Sequence, residues 1–150
     1  MEVFMSKIIT LNADSPSVQY LCKKDKRLAK VISMVDEITY TPHDDGYSFL
    51  VHEIIEQMLS IKEWAKIYDH LLTLCHGCIT PECISRLSGE EIKSIGTANA
   101  KVGYIKGLAS AVLAKEIDLS TLPTLSGEDV IKQLTSLRGI GNWTAKMYFI

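Results

Sequence analysis

Near the C-terminal end of the chain two glycines stand one residue apart, in Gly139-Ile140-Gly141, and Asn142-Trp143-Thr144-Ala145-Lys146 follows them. A glycine pair across one apolar residue permits a very tight turn with positive φ angles. Ile140 can then plug down between the flanking helices, and Asn142 is a good N-cap for the helix that follows. Such a turn presents the amides of Gly141, Trp143 and Thr144 at a helix N-terminus. That is an anion site needing no side-chain charge, with DNA phosphate as the obvious ligand and Lys146 one turn on to help. The plain alternative is a glycine C-cap between two packed helices, because Gly-x-Gly alone is a weak motif.

The second chemistry-bearing group is Cys75-His76-Gly77-Cys78 with Cys83 nearby. A closed zinc site needs four ligands, and a second CxxC or His pair is absent, so core or helix-end thiols in a reducing compartment are expected. The formal charge of −2, from 16 basic and 18 acidic residues, argues weakly against a nucleic-acid partner. From Val130 to Ile150, however, Lys132, Arg138 and Lys146 stand with no Asp or Glu, which makes a positive end on an acidic body. No apolar run approaches the ~20 residues of a membrane span. The opening MEVFMSKIIT, in which Met1 and Met5 are both candidate starts, lacks a signal-peptide pattern. These features predict a cytoplasmic protein without a membrane partner.

The elements that must position the glycines read as helices almost throughout. Ser15-Pro16 opens the first, and a break near Asp25 separates it from the next. Asp44-Asp45-Gly46 starts a helix whose apolar residues run from Tyr47 to Met58. Ser60 with Glu63 forms a capping box for another. Thr80-Pro81 and Ser88 with Glu91 open two short helices. Thr97 to Lys115 and Ser126 to Ser136 carry further apolar stripes. The apolar runs are short and keep helical spacing, so no strand is predicted. The expected class is all-α, one domain over 1–150. One internal echo stands out: Ile95-Gly96-Thr-Ala-Asn-Ala-Lys101 pairs with Ile140-Gly141-Asn-Trp-Thr-Ala-Lys146, each after a capped helix. It reads either as coincidence between two capped helices or as a duplicated helix–hairpin–helix.

Leu134-x-x-Leu137-x-Gly139-Ile140-Gly141-x-Trp143-Thr144-Ala145 resembles the hairpin of the helix–hairpin–helix DNA glycosylase superfamily, in its 3-methyladenine DNA glycosylase II branch. Asp25-Lys-Arg-Leu-Ala is similar to that branch's Asp-Pro-Arg-Leu-Ala. Phe49-Leu-Val-His-Glu-Ile-Ile-Glu-Gln57-Met-Leu-Ser60 is similar to its Ile-Ile-Gly-Gln-Gln-x-Ser junction, with Glu56 for the usual Gly and Met58 for the second Gln. Ile95 to Lys101 resembles its Gly-Leu-Ser-x-x-Lys turn.

The resemblance implies an orthogonal multi-helix bundle with the helix–hairpin–helix at 126–150. It also implies base-excision repair: a damaged base is flipped from duplex DNA and its N-glycosidic bond is hydrolysed through an oxocarbenium-like sugar. Alkylated purines such as 3-methyladenine already carry positive charge and leave easily, and an aromatic pocket suits them. DNA contacts are expected at Gly139, Ile140, Gly141, Asn142, Trp143, Thr144 and Lys146. Gln57, Met58 and Leu59 match the junction that meets the opened duplex from the minor groove; for Gln57 a helix-end cap is the competing role. Trp143 stands where strand-nicking relatives carry a lysine, which implies a monofunctional enzyme. No organic cofactor is implied, and the carbonyls of Thr135, Leu137 and Ile140 match a monovalent-cation seat. The nucleophile-activating aspartate of the family follows the second hairpin helix. No catalytic residue is expected up to Ile150, and the chain reads as C-terminally incomplete, with doubtful activity alone. Leu134, Trp143, Met147, Tyr148 and Phe149 are then expected to lack cover, which a homodimer or a swapped last helix would supply. The competing reading is a non-catalytic helix–hairpin–helix DNA-binding module or remnant, and a third is a purely structural helical adaptor.

Overall fold

The computed structural model describes residues 8–43 and 45–149. Met1 and Met5, the Asp44 part of a predicted helix start, and Ile150 lie outside the described residues. The chain gathers into two compact units, 1–44 and 45–150.

The first unit runs β1 (Ile9–Asn12), α1 (Pro16–Lys24), α2 (Lys26–Ile32) and β2 (Glu37–Tyr40). Pro16 occupies the first turn of α1, as its fixed φ favours. Asp25 makes the predicted break, because its carboxylate accepts the Arg27 and Leu28 N–H groups at 2.8 and 3.3 Å and starts α2 afresh. The two strands correct the expectation of none. They pair antiparallel from Ile9 opposite Tyr40 to Asn12 opposite Glu37. Each is four residues long, too short for alternation to stand out, and its partner lies beyond two helices in the sequence.

The second unit is helical: α3 (Gly46–Glu56), α4 (Ile61–Leu74), α5 (Pro81–Arg86), α6 (Gly89–Ser94), α7 (Asn99–Leu113), α8 (Gly127–Thr135) and α9 (Asn142–Met147). Local capping sets most of the starts. The Asp45 carboxylate takes the Tyr47 and Ser48 N–H groups, Ser88 and Glu91 exchange bonds, and the Ser126 hydroxyl takes the Asp129 N–H. At Ser60 the Glu63 carboxylate accepts both the backbone N–H at 3.0 Å and the hydroxyl at 2.6 Å. Helix α7 lies against α3, α5 and α6. Leu50, Ile54 and Ile55 of α3, Leu71 of α4, Ile105 and Leu108 of α7, and Val130 and Leu134 of α8 fill the core. Each such side chain contributes about 1.5–3 kcal/mol relative to exposure. Leu134, expected to lack cover, is fully buried, whereas Trp143 and Phe149 are exposed.

The internal echo is real in the backbone but shifted by two residues. Gly96 and Gly139 share the left-handed conformation, with φ of 99° and 92°. The buried plugs are then Thr97 and Ile140, the N-caps Ala98 and Gly141, and the first helical residues Asn99 and Asn142. The position that needs positive φ sets this register, not the Ile-Gly pairs that look alike in sequence.

Candidate nucleic-acid interface

The two hairpin glycines do different jobs. At Gly139 a Cβ would come 2.4 Å from Cγ of Tyr104, and its φ is +92°. Conformation and packing both demand glycine there. At Gly141 φ is −93° and a Cβ would meet nothing within 4 Å. A shared positive-φ role was expected; Gly141 instead keeps open the space in front of α9. Asn142, expected as the N-cap, is the first residue of α9, and Gly141 holds the cap position without a side-chain bond. The Gly141 carbonyl already accepts the Ala145 N–H at 3.0 Å, which starts the helix one residue earlier. Among the described residues the N–H groups of Gly141, Asn142, Trp143 and Thr144 have no backbone acceptor. Unpaired first-turn amides of this kind are donors that an anion can use. Trp143 is 73 % exposed and Lys146 is exposed, but the Thr144 side chain is buried, so that residue offers only its amide.

The Gln57–Leu59 junction lies against this hairpin. Gln57 Nε2 donates to the Gly139 carbonyl at 2.7 Å, joining residues 82 apart in the chain. One N–H of the Gln57 amide is thus engaged by the hairpin backbone. Met58 projects wholly into solvent, with φ of 61°. A non-glycine residue in that conformation carries a strain of about 1–2 kcal/mol, so neighbouring structure must hold it there. Lys101 supplies the hold: its Nζ donates to the Ile55 and Gln57 carbonyls at 2.7 and 2.6 Å. Burial lowers the Lys101 pKa from its ordinary value. Lys101 and Tyr104 are the supporting residues that sequence reasoning missed, since their partners are distant in the chain. The only sequence signal was the Ile95–Lys101 block itself.

Around the hairpin, the Thr135 and Ile140 carbonyls accept no backbone hydrogen bond among the described residues, and the Leu137 carbonyl accepts one, from the Ile140 N–H. Oxygen ligation of a small cation is open to all three. Cys22, Cys75, Cys78 and Cys83 are free thiols, and the last three do not gather as a metal-ligating group. Cys75 ends α4 in the core, where burial and then the neighbouring Cys83 push its thiol up to about 12. It stays protonated and unreactive near neutrality. No helix among the described residues is long and apolar enough to cross a membrane.

No family model matches the chain. The chain is 27 % identical over 138 residues to the alkylbase DNA glycosidase-like protein mag2 of Schizosaccharomyces pombe, covering 88 % of this chain and 65 % of that protein. In structure it is similar to a DNA-3-methyladenine glycosidase of Bacillus halodurans, with a TM-score of 0.85 and 32 % identity over 94 % of this chain and 65 % of that one. It is also similar to the S. pombe 3-methyladenine DNA glycosylase in complex with abasic DNA, with a TM-score of 0.72 and 26 % identity over 86 % and 66 % of the two chains. The chain thus spans just under two thirds of the length of these relatives.

Proposed function

We propose that this chain, a homologue of the DNA-3-methyladenine glycosylases with the helix–hairpin–helix glycosylase fold, is the duplex-gripping part of a base-excision enzyme that releases alkylated purines. The observation that carries the reading is the Gln57–Gly139 bond. It couples an outward, strained Met58 to a hairpin whose free amides suit phosphate. A phosphate held at Gly141–Thr144, with Lys146 beside it, anchors one strand. Met58 then enters the stack and fills the gap left by a flipped nucleotide. Flipping costs a few kcal/mol, least where damage has already weakened the pair.

Hydrolysis of the N-glycosidic bond needs a water and a carboxylate near an oxocarbenium-like sugar, and the cationic alkylated base leaves with little acid help. We assign no catalytic residue within 1–150. Trp143 in place of a lysine favours a monofunctional reaction with no covalent link to DNA, so borohydride should trap no adduct. A monovalent cation at the Thr135, Leu137 and Ile140 carbonyls would add positive charge beside the phosphate, and duplex affinity should then rise when potassium replaces a bulky organic cation at equal ionic strength. The work is assigned to the cytoplasm. Exposed Trp143 and Phe149 would find cover against a second copy or a swapped α9. A monodisperse monomer in light scattering would sink that part.

The test is fluorescence anisotropy with a duplex carrying an abasic-site analogue, its undamaged counterpart and single-stranded DNA, paired with base release from methylated DNA. The wild-type chain should prefer the abasic duplex, and Met58→Ala should remove that preference while keeping general duplex affinity. Equal binding to all three DNAs would refute the grip. Binding without base release by a chain extended past α9 would favour the second reading, a non-catalytic DNA-binding module.

A further inference from the structure

Helix α4 ends at Cys75, and the chain reverses at once. His76 and Gly77 take left-handed φ angles of 54° and 89°, and the Cys78 N–H donates to the Cys75 carbonyl at 3.1 Å. Thr80 then starts α5, its hydroxyl accepting the Cys83 N–H at 3.1 Å. The reversal returns the first turn of α5 to the end of α4, and two thiols meet there: Cys75 and Cys83 are joined by a side-chain hydrogen bond. Cys75 is 4 % exposed, Cys83 is half-buried against the core, and Cys78 is exposed.

Tyr47, in the first turn of α3, supplies an independent observation. The residue is 4 % exposed, and its hydroxyl has no hydrogen-bond partner among the described residues. Burial raises its pKa, and Cys75, Glu82 and Cys83 are among the neighbours that push the same way, so the phenol beside these thiols keeps its proton. A buried donor with no acceptor carries a cost that an oxygen atom brought to the thiols relieves. We propose that Cys75 and Cys83 are a dithiol that hydrogen peroxide closes to a disulfide, with the Tyr47 hydroxyl donating to the oxygen transferred on the way. Cys83, the more exposed of the pair, reacts first. Its sulfur attacks one peroxide oxygen; the S–O bond forms as the O–O bond breaks, and the departing oxygen takes the Cys83 proton and leaves as water. Cys83 is thereby oxidised by two electrons to a sulfenic acid. The Cys75 sulfur then attacks the Cys83 sulfur; the S–S bond forms, the S–O bond breaks, and the Cys75 proton leaves with the hydroxyl as a second water. Buried and protonated, Cys75 is inert toward solutes, but a sulfenic acid held in contact with it needs no approach from solution. The bond ties the end of α4 to the first turn of α5. The site stands independently of the DNA reading.

The test uses the full chain, reduced and freed of excess thiol, then treated with peroxide at neutral pH and quenched with an alkylating reagent in denaturant. Peptide mass mapping follows each cysteine. The expected product is a chain lighter by two hydrogens, with a Cys75–Cys83 bridge that dithiothreitol reverses. Cys78→Ser should leave the bridge unchanged, and Cys83→Ser should abolish it. Tyr47→Phe removes only the partnerless hydroxyl, circular dichroism checks that it folds, and bridge formation should slow roughly 2- to 10-fold. Because the mapping reads the wild-type chain directly, the outcome does not hang on any variant folding. A pair still fully reduced when exposed Cys78 has been oxidised overturns the proposal. So does a bridge to Cys78 in place of Cys83, Cys83 carried on to sulfinic acid while Cys75 stays open to alkylation, or a Tyr47→Phe chain that forms the bridge as fast as the wild type.

Discussion

Alanine at Gly139 and alanine at Gly141 should fail in opposite ways. At Gly139 the new methyl meets the Tyr104 ring at 2.4 Å in a backbone with φ of +92°. The left-handed strain costs about 1–2 kcal/mol and the overpacking about 1–3 kcal/mol. Together they remove about 2–5 kcal/mol, which should lower the Tm by at least ~10 °C in a unit of this size. At Gly141 the methyl enters open space at φ of −93°. Alanine there should be neutral, or stabilise by up to about 1 kcal/mol by restricting the unfolded chain. The same methyl stands in front of the free amides, however, and blocks close approach of a phosphate. Losing one charge-assisted bond of about 1.5–3 kcal/mol weakens the duplex Kd roughly 10- to 150-fold. Calorimetric melting and duplex anisotropy on both variants decide the matter. A Gly141→Ala protein that melts normally and binds duplex DNA like the wild type would refute the phosphate role, and one that melts as early as Gly139→Ala would refute the division of labour.

Lys101→Met keeps the apolar stem but removes both bonds to the end of α3, so a loss of about 2–3 kcal/mol is expected in chemical denaturation, with weaker abasic-duplex binding. Met58→Gly relieves ~1–2 kcal/mol of strain against glycine's entropic cost of ~0.5–1 kcal/mol. The variant should therefore be up to about 1.5 kcal/mol more stable while losing the preference for abasic over undamaged duplex. Glu63 and Glu91 have lowered pKa values, in each case through bonds from the serine that starts their helix. The unfolded chain therefore takes up protons first, and the stability these caps give is present above the ordinary value of 4.5 and is lost as pH falls below it. A Tm that declines on acidification, and declines less in the Glu63→Gln, Glu91→Gln double variant, is the expected outcome.

The sequence revealed what is decided within a few residues. Asp25, Asp45, Ser88 and Ser126 could be seen as helix starts because each bonds to amides two or three residues on. The strands could not be seen, because two four-residue segments gain meaning only when paired. The hairpin was legible as a glycine turn, but the difference between its glycines was not. It depends on Tyr104, which approaches from another helix. Nor could spacing disclose that Gln57 serves Gly139, or that Lys101 serves Ile55 and Gln57, since these bonds span 82, 46 and 44 positions. Asn142 misled for a simple reason: a good capping side chain stood next to a glycine whose backbone took the cap instead.

The Gln57–Gly139 bond also bears on how affinity is shared between two weak contacts. On the proposed DNA reading, a phosphate at the hairpin and a stack entered by Met58 are each modest ligands. Fixed at one separation by a short polar tether, the second engages at an effective concentration set by geometry rather than by diffusion. Gln57→Ala should then leave each contact intact when probed alone, by single-stranded DNA for the hairpin, and still erode the affinity for a damaged duplex that needs both at once. The amide would act as the rigid spacer of a bivalent reader.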